Sequence, residues 1–419
     1  MPAALAPKGG DESAVLTQRR LRRGVEGVNL YDVVVVGAGL AGLQSARLLA
    51  GRGLKVLLVD RKPRVDRFVH TTGIFVRKTL ESFDLPAEYL GPVVRDVVLY
   101  SPAGRALHLS SPHDEFRVGR LRRLYARWLD EAVGAGAHWA GGTRFLGSEP
   151  GRTSRVYLET GGRRWAVEAR FMIGADGCQS TVARNLGLDV NREWIVGAEE
   201  VYRGVPLDGP PAFHCYLDPR LAPGYLAWVV HDGEEVHVGT GGYPDRFHVT
   251  TALAAFKERV APRFGLERGR LVERRGGRIP VGGVLHRIAC PRGLLVGDAA
   301  GAVSPLTAGG LDPCLRLSDL AAHVVAAYLD QGDPRILGHY HGGAFQPRFL
   351  SRRWMRRVLA TFRHPLWYEL GCAAFRGTPL RRLAWQVFFG RGSFPDVEPV
   401  KAALGVDGAS PAVMSRGAW

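Results

Sequence analysis

The stretch Tyr31 to Asp60, YDVVVVGAGLAGLQSARLLAGRGLKVLLVD, constrains the fold more than any other part of the chain. Tyr31 to Val36 is a short apolar run rich in β-branched residues, the composition of a strand buried on both faces of a parallel sheet. Gly37, Gly39 and Gly42 follow at the spacing G-x-G-x-x-G, a helix runs on to Ala50, and Gly51 and Gly53 end it. Lys55 to Val59 form a second buried strand that closes in Asp60. Each part has a physical job. Gly37 permits a tight turn, Gly39 lets the backbone approach a pyrophosphate, and Gly42 lets the helix pack closely on the strand. The helix N-terminus offers N–H groups and a positive dipole end to phosphate, and Asp60, about 20 residues on, is placed to accept from a ribose hydroxyl. A dinucleotide is therefore expected here.

A chain of 419 residues with 46% hydrophobic and 23% charged residues can bury a proper core in one large or two interleaved domains. The five cysteines (Cys178, Cys215, Cys290, Cys314, Cys372) are scattered, with no paired or metal-like spacing. That argues for a reducing cytoplasm and against a disulfide framework or a metal site. The formal charge of +16 comes mostly from arginine, yet no nucleic-acid-binding module accompanies it, so nucleic acid is not an expected partner. No run approaches the ~18–20 apolar residues of a membrane span. Residues 1–28, with Asp11 and Glu12 ahead of a basic cluster, read as a mobile tail rather than a secretory leader.

Beyond Asp60, Arg61 and Lys62 read equally as neighbours of an adenine or phosphate and as solvated loop charges. His70 to Ile74 is a polar, glycine-containing turn before a short helix at Val76 to Phe83. Val93 to Leu109 reads as a hairpin around Ser101-Pro102-Ala103-Gly104. The segment from Phe116 to Gly136 is expected to be an amphipathic helix, with Leu121, Leu124, Trp128, Leu129 and Ala132 on one face. Residues 138–174 read as antiparallel strands ending in the buried run Phe171-Met172-Ile173. Gly174-Ala175-Asp176-Gly177 then brings the backbone back towards a ligand. Residues 196–245 are strand-like and aromatic, with a helix near Thr251 to Val260, the pattern of a sheet covering a pocket. Leu294-Leu295-Val296 opens into GDAAGAVSPLTAGGL, another phosphate-facing helix start.

The chain from Arg348 onward differs in kind, carrying many arginines against the single acid Glu369 as far as Gly392. Trp354, Val358 and Phe362 recur at i, i+4 and i+8, opposite much of the arginine. Such helices either lie on an anionic membrane surface or pack the aromatic face on their own domain. The pattern leaves both readings open.

Taken together, three motifs resemble those of the glutathione-reductase-like FAD oxidoreductases, in the branch that holds the geranylgeranyl reductases and the aromatic hydroxylases of the para-hydroxybenzoate hydroxylase type. GAGLAG with Asp60 resembles the ADP-binding motif. GADGCQSTVAR is similar to the middle motif, with Asp176, Gly177, Ser180 and Arg184 in matching places. VGDAAGAVSPLTAGGL is similar to the last, in which Gly297-Asp298 hold the ribityl chain and Pro305 to Gly310, including Gly309, run beside the flavin ring. Arg120 falls where the family carries an arginine that often touches the cofactor. Gly301 after G-D-A-A is reductase-like, whereas hydroxylases usually carry His there. PGYLAWVVHDGEEVHVG is similar to the reductases' substrate strand, but Tyr225 and Trp228 stand one residue further apart, Val229-Val230 replace Phe-Pro, and Ala308 replaces a common glycine.

The resemblance implies an α/β fold, with a Rossmann-like parallel sheet binding FAD, an inserted antiparallel substrate sheet and a helical C-terminal region. The expected division is a tail at 1–28, an FAD-binding domain at 29–92, 113–190 and 288–346, a substrate sheet at 93–112 and 191–287, and a basic, aromatic-rich region at 347–419. The implied activity is an FAD-dependent reductase of a hydrophobic, isoprenoid- or polyketide-like substrate. A monooxygenase and a redox-neutral cyclase are the alternatives. FAD does the chemistry and the protein orients it, so no catalytic residue is assigned. His70, Tyr225 and Trp228 are pocket candidates, with packing as the competing role for each. One dinucleotide motif implies that NAD(P)H binds transiently or that another carrier delivers electrons.

Overall fold

The computed structural model describes residues 29–390, 394 and 397–404; the reading of residues 1–28 as a tail lies outside them. At its centre the strand Leu30–Val36 runs parallel to both Val56–Asp60 and Arg163–Gly174, with Val35 opposite Leu58 on one side and Ile173 on the other. Gly293–Leu295 and His138–Gly141 extend this sheet in parallel on its two sides. Val33, Val34, Val35, Phe171, Met172 and Ile173 are wholly buried, as strands covered on both faces require. The helices Leu121–Gly134 and Leu311–Gln331 both pack against Leu40–Ala50, so the glycine-rich turn sits over a rigid base.

A second, seven-stranded sheet runs in the order Arg270–Pro280, Trp194–Arg203, Glu235–Gly242, Ala227–His231, Ala212–Tyr216, Asp96–Tyr100, Ala106–Ser110. The expected hairpin supplies its last two strands. Its pairings are antiparallel except for Ala212–Tyr216 beside Asp96–Tyr100. The helix Val249–Phe264 closes one region of it through Phe256 and Val260, which cluster with Tyr100, Tyr216 and Val238. A small three-stranded sheet of Ile74–Val76, Phe116–Gly119 and Leu90–Val94 joins the two bodies.

Two expectations fail locally. The helix expected from Phe116 begins only at Leu121, because Phe116 to Gly119 form a strand. Phe116 and Val118 alternate into the interior, and Gly119 lies so close to Phe75 that a Cβ would stand 2.5 Å from its ring. His138–Gly141, expected to be antiparallel, runs parallel to Val56–Asp60 and extends the central sheet. The later strands Thr143–Glu149 and Ser154–Thr160 are antiparallel as expected.

After Gln331 the chain folds into the helices Leu350–Thr361, Pro365–Ala374 and Thr378–Phe389. The last docks on the seven-stranded sheet. Ala384 and Phe389 cluster with Val97, Leu99 and Leu107, and Trp385 Nε1 donates to the carbonyl of Ser110.

Candidate cofactor and substrate site

Glycines bring the three sequence motifs into contact. Gly37 has φ +103°, and a Cβ there would stand 2.3 Å from the carbonyl oxygen of Ala175, which presses the first motif onto the second. A Cβ on Gly42 would meet the carbonyl oxygen of Gly37 at 1.8 Å, so close helix-to-turn packing forbids any side chain. Gly297 stands against Ala41, joining the third motif to the first helix. The three meet around one cavity of about 1670 Å³, lined by Gly37, Gly39, Asp60, Asp176, Gly177, Gly297, Asp298, Gly309 and Gly310. Pockets for one drug-sized ligand span roughly 300–1,000 Å³, so this volume has room for a large cofactor and a substrate together.

Polar groups along this end are only partly committed to the protein. Asp60 accepts from Ala38 N at 2.7 Å and Lys62 N at 2.8 Å, which fixes its carboxylate at the strand end. Asp176 Oδ2 accepts from the N–H groups of Thr181 and Val182, while its buried Oδ1 has no hydrogen-bond partner among the described residues. Burial pushes the Asp298 carboxyl up to about 6. The helix Leu40–Ala50 has no side-chain cap, and space beside Gly39 is open. Its first N–H groups thus face the cavity without a side-chain partner.

At the other end stand Thr72, Tyr225, Trp228 and the loop Ser304 to Gly310. Tyr225 donates its hydroxyl to the carbonyl of Thr307 at 2.8 Å, and its ring meets Trp228 edge-on at 6.3 Å. Trp228 Nε1 donates to Glu199 Oε2 at 3.0 Å, and Thr72 Oγ1 donates to the same oxygen. Behind them His237 Nδ1 and the Arg275 guanidinium each lie 3.2 Å from Glu199 Oε1, and Arg275 also donates to the carbonyl of Thr71. Burial alone would push the Glu199 carboxyl up, but His237, Arg275 and Thr72 outweigh it and hold it at about 2. Burial likewise opposes charge on His237, yet Glu199 and Asp232 hold its pKa at about 9. Asp232, Glu235 and His237 bring their side-chain oxygens and nitrogens within 4.8 Å of one another behind this wall.

The sequence candidates divide. Gly37, Gly39, Asp60, Arg61, Asp176, Gly177, Gly297, Asp298, Gly309, Gly310, Tyr225 and Trp228 all border the large cavity. Gly42 acts from behind, through packing. His70 is exposed at the lip of the cavity. Pro305 contributes its carbonyl, which accepts from Arg356 at 2.8 Å. Arg120 does not face the large cavity. Its guanidinium donates to the carbonyls of Glu88 and Asp232, lies 3.3 Å from Glu234, and borders a separate cavity of about 120 Å³. Thr72, Glu199, His237, Arg275 and Arg356 were not singled out from the sequence. The adjacent acids Glu199-Glu200 within an apolar strand were the available clue. Successive strand residues point to opposite faces, and here both carboxylates are buried.

Residues 128–345, just over half of the chain, match the family described as FAD binding domain, and residues 32–73 match FAD dependent oxidoreductase. The chain is an FAD-dependent oxidoreductase. The flavoprotein is 32% identical to a digeranylgeranylglycerophospholipid reductase of Methanopyrus kandleri, over 79% of this chain and 88% of that one. It is 31% identical to the reductase of the same description from Methanothrix thermoacetophila, over 73% and 80%. A solved geranylgeranyl bacteriochlorophyll reductase-like protein from Thermoplasma acidophilum superposes with a TM-score of 0.74 at 22% identity, covering 90% of this chain and 100% of that one. The p-nitrophenol 4-monooxygenase of Pseudomonas putida shares the fold with a TM-score of 0.62 at 18% identity, over 90% and 97%. The flavoprotein thus belongs with the digeranylgeranylglycerophospholipid reductases, and it shares with the monooxygenase a fold of parallel FAD-binding sheet, antiparallel sheet and C-terminal helices.

The residues present fit FAD. The uncapped helix start and the open side of Gly39 suit a pyrophosphate. Asp176 Oδ1, unpartnered among the described residues, and the Asp298 carboxylate bordering the cavity are acceptors suited to hydroxyl or N–H donors. Gly301, with φ +69°, has a physical reason to be glycine, since a Cβ would stand 2.4 Å from the carbonyl oxygen of Gly283.

Proposed function

We propose that this flavoenzyme saturates carbon–carbon double bonds of a long, apolar, isoprenoid-like substrate. One observation carries the reading. Beyond Tyr225 and Trp228 the cavity continues between apolar walls, Phe213 and Leu226 on the sheet side and Met355, Leu359, Phe375 and Phe388 on the helical side. An extended hydrocarbon fits there, and a small polar aromatic would leave most of it unfilled. The names of the relatives support the same class.

Reduced FAD supplies hydride when bound. The chain's residues orient and enclose. Trp228 is fixed by Glu199 and Tyr225 by Thr307, so the two rings form a rigid wall beside the loop Ser304 to Gly310. With FAD bound, one carbon of the double bond would take up a hydride equivalent and the other a proton, two electrons passing to the product. Thr72 Oγ1 donates to ionised Glu199 and so holds that part of the wall in place, while the proton for the second carbon would come from water. Asp60, Arg61, Asp176, Gly177 and Asp298 are the proposed FAD contacts. With one glycine-rich dinucleotide motif in the sequence, NAD(P)H is the proposed transient donor, replaceable by another reduced carrier. Its scattered thiols support placing the enzyme in a reducing cytoplasm.

The test is product analysis after anaerobic incubation of reduced enzyme with a geranylgeranyl lipid. Gain of two hydrogens per double bond is expected. Product that forms only with oxygen and carries an oxygen atom from O2 would identify a monooxygenase instead.

A further inference from the structure

The helix Leu350–Thr361 is packed with its basic side inward. Arg352 donates to Ser304 Oγ at 3.1 Å, and Arg353 faces Glu193 at 3.7 Å. Arg356, 2% exposed, donates to the carbonyl of Pro305 and to the Tyr243 hydroxyl, with its guanidinium over the rings of Tyr225 and Tyr243. At about 100° per residue these three arginines share one side, which leaves Leu350, Trp354 and Val358 on the other. Trp354 is 68% exposed. The next helix repeats the arrangement, burying Tyr368 while Leu366, Trp367 and Leu370 are each more than half exposed. Monomeric soluble proteins rarely leave such apolar patches uncovered without a partner.

This apolar face is also the rim of the cavity, because Trp354, Val358, Phe362 and Trp367 line it. Around it Arg357, Arg363 and Arg382 are exposed, and among the described residues none of them lies within 4.0 Å of a carboxylate, while exposed Arg376 attracts Glu369. The single acid of the three helices, Glu369, is engaged by Arg105 and by the backbone N–H of Ala103. A second copy of the chain on this face would bring the same arginines against these, since a two-fold contact pairs a surface with itself. An anionic bilayer offers both an apolar layer and complementary charge. Among the described residues no helix is long and apolar enough to cross a membrane.

We infer that the face formed by the helices Leu350–Thr361 and Pro365–Ala374 docks on the surface of an anionic bilayer and opens the cavity mouth towards its apolar layer. The docking is independent of the reaction catalysed. It is tested by co-sedimenting the full-length flavoprotein with vesicles of phosphatidylcholine containing phosphatidylglycerol, and with vesicles of phosphatidylcholine alone. Binding to the anionic vesicles, weakened by salt, is expected. Trp354→Asp with Trp367→Asp should reduce it at least tenfold, and each of Arg357→Glu and Arg382→Glu by about fivefold or more, at about 1 kcal/mol per surface charge. Visible flavin absorbance in every variant checks folding. Failure of the wild-type protein to sediment with anionic vesicles would overturn the inference. So would a concentration-dependent dimer abolished by the tryptophan substitutions, which would assign the face to a second copy.

Discussion

Trp228 Nε1 and Glu199 Oε2 stand 3.0 Å apart, so an aromatic wall of the cavity hangs on a buried carboxylate. The same oxygen accepts from Thr72, and the other is shared by His237 and Arg275. Four elements of the fold converge on one side chain.

Removing the charge should therefore cost both stability and alignment. Glu199→Gln leaves His237 and Arg275 buried beside a neutral amide, and breaking a buried pair costs about 3–5 kcal/mol. Denaturant unfolding reads the loss, and the Trp228 emission should change with it. Trp228→Phe, which removes only the indole donor, should cost about 1 kcal/mol.

The same network sets a pH window. His237 has a folded pKa of about 9 against an ordinary 6.5. Its stabilisation is fully present below 6.5 and is lost as pH rises through 9. Glu199 and Asp232 are held at about 2 against 4.5 and 3.8, so their contribution is lost as pH falls from those values through 2. Stability should be flat between roughly pH 5 and 6 and fall on both sides. His237→Gln should remove the alkaline decline, read by thermal unfolding across pH.

Asp298 carries the opposite sign. Its free carboxyl is raised to about 6 by burial. A hydroxyl donor from the ribityl chain would lower that value, so FAD affinity should be constant above pH 6 and weaken below it. Asp298→Ala should lose about 1.5–3 kcal/mol of binding and flatten the pH dependence, measured by flavin fluorescence titration of the apoprotein.

Ala308 occupies the left-handed region at φ +51°, in the loop beside Tyr225 and at the position where glycine is common in the family. A side chain there costs about 1–2 kcal/mol. Ala308→Gly should recover about 1 kcal/mol of stability, less the entropy glycine adds to the unfolded chain, in an equilibrium denaturation series.

Much of the cofactor end was legible in the sequence because its geometry is local. Gly37, Gly42 and Gly297 are dictated by the turn each must make and the backbone each must meet, and the strand-turn-helix order fixes where they point. The substrate end was not. Glu199, His237 and Arg275 come from separate segments that only the pairing of Trp194–Arg203 with Glu235–Gly242 and Arg270–Pro280 puts together, and Thr72 reaches them from a distant loop. Helical periodicity separated the aromatic from the basic face of residues 350–361 but carried no information on which one turns inward. Arg356 turned inward because Pro305, Leu306 and Tyr243 offer oxygens that an aromatic face would have left unpaired. Arg120 misled because its place in the chain matched a family position while Glu88, Asp232 and Glu234 captured its guanidinium elsewhere.

The central claim joins the flavin to the apolar cavity, and reoxidation of the reduced enzyme tests both together. Mixed with a geranylgeranyl lipid in the strict absence of oxygen, the reduced flavoenzyme should regain its absorbance near ~450 nm in step with formation of saturated product. A flavin that stays reduced with the lipid present and reoxidises only when oxygen is admitted would contradict it.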